Sequence, residues 1–366
     1  MESQPNKKYL KYGAESVLVV LVVFAVGYFV YKNVIPAVSS QKNVSPAQVQ
    51  PNVDLSQAPV VFTGKPSPAE PFDFKGTLYL SLMKINGQNA LGIYAFNING
   101  TAGSKFTTIL ASKISANIFP SVSADGEELV FIRGKPNDPI PQIFMSDISG
   151  ENIRQITNTP DKYKGEPIFS PSGELIAYES ATSSVNNSDL GIPESWSTYL
   201  IDTNGSTVKI ANGINPIFSP DGGKLLILQN DGLHLYDISV WTKPKPLGLV
   251  VKTIGGSKAS GTKQIEVSAD GEMIAWSSTD AENVVVSRIN SWDTFSISPF
   301  LTIKTKAYWP VFSPDGKYLA LDEWRKDGAG NEYPVIMGYD LSNGTSEKIV
   351  TLLSDNKEAL WLGAWK

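Results

Sequence analysis

The chain has 366 residues, a formal net charge of −5, one histidine and no cysteine. The lack of cysteine excludes disulfides and thiolate metal sites, and the acidic balance disfavours nucleic acid as a partner. A hydrophobic share of 42% is enough for a large packed core.

Residues 1–13 are polar and carry Lys7, Lys8 and Lys11. Ser16 to Tyr31 follow without a charge, and with Ala14 and the Val34-Ile35 shoulder the run spans residues 14–35. That is near the length of a transmembrane helix. Tyr9, Tyr12, Tyr28 and Tyr31 stand at its two ends, where amphipathic rings favour the interface. Lysines before the span predict a cytoplasmic N-terminal tail and everything after residue 35 on the far side of the membrane. A cleaved signal peptide, with Ala37-Val-Ser39 as a weak site, is the competing reading; the apolar run is long for one. Residues 36–72 hold seven prolines among Ser, Gln, Asn and Val, with no lasting apolar period. They read as a disordered, semi-stiff tether reaching up to roughly 100 Å at about 3.1 Å per residue.

From residue 73 the chain repeats itself. Pro310-Val-Phe-Ser-Pro-Asp-Gly316 returns as Pro216-Ile-Phe-Ser-Pro-Asp-Gly222 and Pro167-Ile-Phe-Ser-Pro-Ser-Gly173, with looser copies ending at Gly126 and Gly271. The serines, Ser123, Ser170, Ser219, Ser268 and Ser313, are 47, 49, 49 and 45 residues apart. Proline presets φ, aspartate tolerates the next position, and glycine supplies positive φ, so each copy is a short hairpin turn. Runs such as Leu225-Leu-Ile-Leu228 and Leu175-Ile-Ala-Tyr178 follow the turns. They are strands apolar at consecutive positions, which implies burial on both faces. A third strand ends in a second turn, as at Asp147-Ile-Ser-Gly150 and Asp202-Thr-Asn-Gly205, and a short fourth strand follows. Four antiparallel strands per unit of this length make a β-propeller blade.

Five turns serve six blades over residues 73–366. Thr77 to Leu82 and Ile93 to Gly100 form a blade that lacks its first strand, and Ala359 to Lys366 can supply it. Trp361 then falls where Trp309 stands, and the ring closes between its two ends without an open central edge. The predicted fold is all-β: a six-bladed propeller behind a single transmembrane helix. Its fifth blade has no clean second turn after Val284-Val-Val286. The propeller part carries 25 Lys+Arg against 32 Asp+Glu.

At Phe218-Ser-Pro-Asp-Gly222 and Phe312-Ser-Pro-Asp-Gly316 the repeat resembles the TolB-type, WD-repeat-like propeller family. The resemblance implies a cell-envelope propeller that binds another molecule. It covers about four-fifths of the chain and departs upstream, where an anchor and tether replace the family's small α/β domain. The nucleophile elbow of propeller-capped peptidases and the Ser-x-Asp-x-Gly-x-x-Trp turn of sialidases are both missing.

No catalytic set stands out, so the expectation is a non-enzymatic module without cofactor or metal. His234 sits on a predicted strand, and Ser260-Gly-Thr-Lys263 lies in a Gly/Ser-rich loop. The Asp147 and Asp202 turns lack the later glutamate of a calcium loop. The face built from blade-to-blade loops and the longer second-to-third-strand loops is the predicted binding surface. Asp161, Tyr163, Glu166, Trp196, Tyr308, Trp309, Trp324, Arg325 and Tyr333 fall on or near it. Aromatics with charged neighbours suit an envelope protein or glycan. Two readings of the tryptophans stay open, since they also suit plugs between blades. An alternative function is an envelope enzyme acting on glycans or peptides, with Asp161, Glu166 and Asp189 as acid and base.

Overall fold

The computed structural model describes residues 60–61 and 72–366, apart from 86–87, 100–104, 112–114, 136–137, 183–194, 252–264, 278–282, 306, 327, 329, 331, 343, 345 and 352–359. The predicted span at 14–35 and most of the predicted tether therefore lie outside the described residues. Among the described residues no helix is long and apolar enough to cross a membrane.

Six antiparallel blades form the structure. Blade one joins Leu360–Trp365 to Lys75–Ile85, Gln88–Asn99 and Lys105–Ala111. Blade two runs Asn117–Val122, Glu128–Lys135, Asp138–Asp147 and Arg154–Gln155. Blade three runs Lys162–Phe169, Leu175–Thr182, Ser197–Asp202 and Thr207–Asn212. Blade four runs Ile214–Phe218, Lys224–Gln229, Gly232–Asp237 and Lys245–Val251. Blade five runs Ile265–Val267, Met273–Ser277, Val284–Ser291 and Ser296–Ile303. Blade six runs Ala307–Phe312, Tyr318–Lys326, Glu332–Asp340 and Ser346–Thr351. The first strand of each blade touches the first strand of the next in a closed cycle, so these six strands surround the axis.

The consecutive apolar runs are buried on both faces because each blade is sandwiched. Leu225 and Ile227 pack with Ala177 and Leu200 of blade three. Leu226 and Leu228 pack with Ile274 and Trp276 of blade five. All four leucines and isoleucines of that run are fully buried, each worth about 1.5–3 kcal/mol of transfer free energy.

The repeated turn is a latch. Ser219 is buried and its hydroxyl donates to Asp221 Oδ1 at 2.5 Å while accepting from the Lys224 amide at 2.8 Å. Asp221 Oδ1 also accepts from the Gly223 amide, and Gly222 turns the chain at φ 71°. The same bonds recur at Ser123, Ser268 and Ser313. In blade three Ser172 takes the place of aspartate and accepts weakly from Glu174 at 3.3 Å. The Ser219 hydroxyl, with the Gly223 amide, holds the Asp221 carboxyl below its usual range. A depressed carboxyl stabilises the fold above its unfolded-state pKa and loses that contribution as pH falls through the folded value. Ser219→Ala should lower the unfolding free energy by about 1–2 kcal/mol, since it leaves the Lys224 amide without its acceptor. Urea titration reads this, and an unchanged midpoint would show the latch to be idle.

Ring closure follows the expected strand exchange. Leu360–Trp365 pairs antiparallel with Lys75–Ile85, with Ser81 opposite Trp361 and Leu78 opposite Trp365. Tyr308 is opposite Asp322 in blade six. Trp361 therefore corresponds to Tyr308, one residue away from the Trp309 position that spacing alone suggests. Trp365 Nε1 donates to the Lys75 carbonyl at 2.7 Å, and Lys366 and Thr77 exchange backbone bonds.

In blade five the second turn, at residues 292–295, is braced by aromatic side chains. Trp292 Nε1 donates to the Gly271 carbonyl at 3.0 Å, and its ring meets Phe295 edge-on. Within the predicted tether, Val60–Val61 pairs in parallel with Leu301 and Thr302 on the outer edge of blade five. Composition gave no sign of this strand. Phe72 packs beside Phe74 and Tyr318.

Candidate functional site at the propeller axis

Three axial strands are interrupted at one level. The register against the second strand shifts between Ile118 and Ser121, Ile214 and Ile217, and Tyr308 and Val311. The residue entering each shift precedes the repeat's proline: Phe119, Asn215 and Trp309, with φ of 55°, 51° and 53°. Such φ values are strained for residues with a side chain and persist only where neighbours enforce them. Two of the enforcing groups are visible. Ser81 Oγ of blade one accepts the Phe119 amide at 3.0 Å, and Glu179 Oε1 of blade three accepts the Asn215 amide at 2.7 Å. Glu179 is fully buried against Gly165, where any Cβ would strike its carboxylate. These polar groups lock one blade onto the next.

Blade three follows the same spacing, so Glu166 before Pro167 occupies the level of Phe119 and Trp309. The rings of Phe119 and Trp309 lie 5.9 Å apart, although their blades are separated by blade one. They meet across the axis and narrow it. Glu266 of blade five is close enough to Glu166 and to Lys366 to feel both charges. These three come from alternate blades, which places them together around the axis. Burial pushes the Glu266 carboxyl up to about 8, with Lys366 pulling it down and Glu166 adding to the rise. Burial thus favours the protonated form of Glu266 near neutral pH. Lys164 of blade three is buried and lowered to about 8 by desolvation, and Lys162 adds to the fall. Its ammonium donates to the Lys162 carbonyl at 2.6 Å.

A second cluster sits on blade six. Glu323 is buried, accepts from the Tyr339 hydroxyl, and is gripped by Arg325 through Nε at 2.8 Å. Burial raises the Tyr339 hydroxyl pKa. Arg325 is half-exposed, so it carries the cluster's charge to the surface. Asp322, the preceding residue, is buried on the opposite face of the strand, and its Oδ1 makes no hydrogen bond among the described residues.

The structure gathers part of the predicted surface. Glu166, Tyr308 and Trp309 are half-buried on axial strands, and Arg325 is exposed on the second strand of blade six. Tyr163 is half-buried and packs against the cluster containing Trp196. Trp196 is itself 5% exposed within that cluster, as a plug between blades three and four. Asp161 is exposed on the turn entering blade three, apart from the axial carboxylates. Trp324 and Tyr333 lie on paired strands of blade six, opposite Pro334 and Arg325, and their side chains are outside the described residues. Asp189 and Ser260 to Lys263 are also outside them. His234 faces Asp231 at 2.7 Å on an outer hairpin. The Asp147 and Asp202 carboxylates accept from amides of their own turns, as hairpin caps do. Among the described residues no three metal-binding side chains converge. Phe119 and Glu266 escaped sequence reasoning, although the residue preceding each repeat proline was a readable signal for the first.

The fold and the axial ring define a six-bladed propeller closed by its last strand, with tight self-satisfied turns on one side and aromatic and carboxylate groups towards the other. Its fold is like that of TolB propellers. It is similar to TolB from Acinetobacter baumannii, at 18% identity over 80% of this chain and 68% of that one, with a TM-score of 0.57. It is also similar to Kuenenia stuttgartiensis hydrazine synthase, at 14% identity over 84% of this chain and 50% of that one, with a TM-score of 0.52. The putative TolB from Agrobacterium tumefaciens aligns at 14% identity over 79% of this chain and 98% of that one, with a TM-score of 0.46. At these identities the likeness is one of fold. No protein-family model matches the chain, and no curated protein matches it.

Proposed function

We propose that the chain is a membrane-anchored, extracytoplasmic propeller that binds a protein or glycan of the cell envelope. The carrying observation is the asymmetry of the disc. On the turn side, the serine and aspartate groups are consumed by their own hairpins. Towards the blade-to-blade side stand the half-buried Trp309, Tyr308 and Glu166 and the exposed Arg325, which is paired with Glu323. The apolar run at 14–35 and the proline-rich stretch behind it supply the anchoring. The TolB likeness in fold supports an envelope setting.

Immobilised full-length protein should retain a particular envelope protein or glycan from solubilised membranes, and Glu166→Gln or Arg325→Ala should abolish that retention. Undiminished retention by both variants would move the site off this face. Protease added to intact cells should strip the propeller; a protected propeller would overturn its extracytoplasmic placement. A second reading is favoured by Glu266, whose protonated form, favoured by burial, suits acid–base work beside Glu166 on a glycan or peptide. Turnover of such a substrate that Glu266→Gln removes would select it over pure binding.

A further inference from the structure

Among the described residues three large apolar side chains are well exposed, and two of them, Val240 at 57% and Leu247 at 51%, belong to the outer hairpin of blade four. They share one end of it, where Asp237 pairs with Lys245. The second turns of blades two and three are short and closed by glycine, Asp147-Ile-Ser-Gly150 and Asp202-Thr-Asn-Gly205. Blade four instead carries Val240-Trp-Thr-Lys243, closed by the Lys243 amide on the Val240 carbonyl at 2.7 Å. Trp241 is half-buried against the core between blades three and four, which braces the tip. Leu247 is the extra residue of a bulge, since Pro246 pairs with Tyr236 and Gly248 with Leu235. A bulge re-aims a side chain, and here that side chain is an exposed leucine. Lys243 and Lys245 stand exposed between the two apolar residues. Asp237, opposite Lys245, accepts from the Ser239 amide and hydroxyl.

We propose that this hairpin docks on an anionic lipid surface, with Val240 and Leu247 entering the headgroup boundary and Lys243 and Lys245 meeting lipid phosphates. Three observations select lipid. Apolar tips flanked by lysines, with an indole behind them, match the layered polarity of a bilayer interface. Two exposed apolar side chains fall far short of the roughly 20–30 residues a side of a stable protein interface, whereas insertion into a bilayer needs no matching surface. The chain also joins the ring next door: Val60–Val61 pairs on the outer edge of blade five, and residues 36–59 separate it from the predicted span. The tip lies on the turn side of the disc, where the Ile238 amide donates to the Gly223 carbonyl at 2.9 Å. Docking there leaves Trp309 and Arg325, on the blade-to-blade side, facing away from the membrane. The inference rests on the anchoring proposed above, which keeps the tip near lipid so that a weak contact suffices.

The chain has no cysteine, so one introduced thiol carries a polarity-sensitive dye alone. The full chain is reconstituted with Thr242→Cys at the tip or, as control, Thr107→Cys, exposed on the outer strand of blade one across the ring. In vesicles of phosphatidylcholine and phosphatidylglycerol, nitroxide-labelled lipid should quench the dye at 242 at least about threefold more than at 107. Val240→Ser/Leu247→Ser should bring 242 down to the level of 107. Lys243→Gln/Lys245→Gln should erase the difference between these vesicles and phosphatidylcholine alone, as should high salt. Equal quenching at both positions, or quenching unmoved by the serine pair, would overturn the docking and leave the anchoring intact. Dye emission at 242 that shifts with protein density and resists lipid quenching would give the hairpin to a second copy of this chain. Release of the whole chain by alkaline carbonate would overturn the anchoring, and the docking with it.

Discussion

Trp365→Ala is expected to lower the unfolding free energy by about 3–5 kcal/mol, the range for removing a large buried aromatic. Trp365 is 4% exposed and packs with Phe74, Leu78 and Leu80. It also makes the Nε1 bond to the Lys75 carbonyl at 2.7 Å. The effect should exceed that of an ordinary core truncation, because this strand closes the ring. The four antiparallel strands of every other blade are consecutive, whereas blade one joins residues 290 apart in sequence. Loosening that join leaves Lys75–Ile85 as an open edge at the axis, which also invites self-association. Trp365→Phe keeps most of the packing and loses one hydrogen bond, so it should cost about 1 kcal/mol. Urea titration followed by far-ultraviolet circular dichroism measures both. An alanine effect under about 1 kcal/mol would place ring stability elsewhere.

The architecture was legible because a propeller states its period aloud. The Ser-to-Gly turn must be short, must admit positive φ, and must recur in each blade of consecutive strands, so Ser219, Gly222 and their counterparts mark the first hairpins of blades two to six. The closing strand was legible by subtraction, since blade one lacked a first strand and the last residues matched one. Its register was not, because no hairpin turn ties the closing strand to its partner. The site was less readable for a different reason. Trp196, Trp309 and Trp365 are alike as letters, yet the first plugs two blades, the second faces the axis and the third seals the ring. Those roles depend on which sheet face and which bulge a residue meets. The axial carboxylates were hidden similarly: Glu166 and Glu266 lie 100 residues apart and meet only because alternate blades face one another.

Asp322 offers the sharpest test of the blade six–blade one seam. Residues of Tyr318–Lys326 alternate between two clusters. Leu319 and Leu321 pack with Ala275 and Val284 of blade five, and Ala320 packs with Leu78 and Leu80 of blade one. The pleat therefore sends Glu323 towards blade five and Asp322 towards the closing strand. Equivalent positions in two other blades hold Ser81 and Glu179, which accept the amide of the next blade's strained residue. Asp322 makes no such bond through Oδ1. Burial raises its pKa well above the usual carboxyl value, and the Glu323 charge adds to the rise. The unfolded chain ionises near the ordinary aspartate value while the folded chain keeps the proton, so the folded state binds more protons above about pH 4. Stability from this group is then complete in acid and falls as pH rises towards the folded pKa. Asp322→Asn keeps the shape and removes the ionisation. At pH 8 it should raise the unfolding free energy by about 1–3 kcal/mol, a gain limited by the amide that remains buried. At pH 4 the gain should nearly vanish. Equal or lower stability of the variant at pH 8 would mean that Asp322 is ionised and partnered in the folded ring, and that the seam is held by its charge.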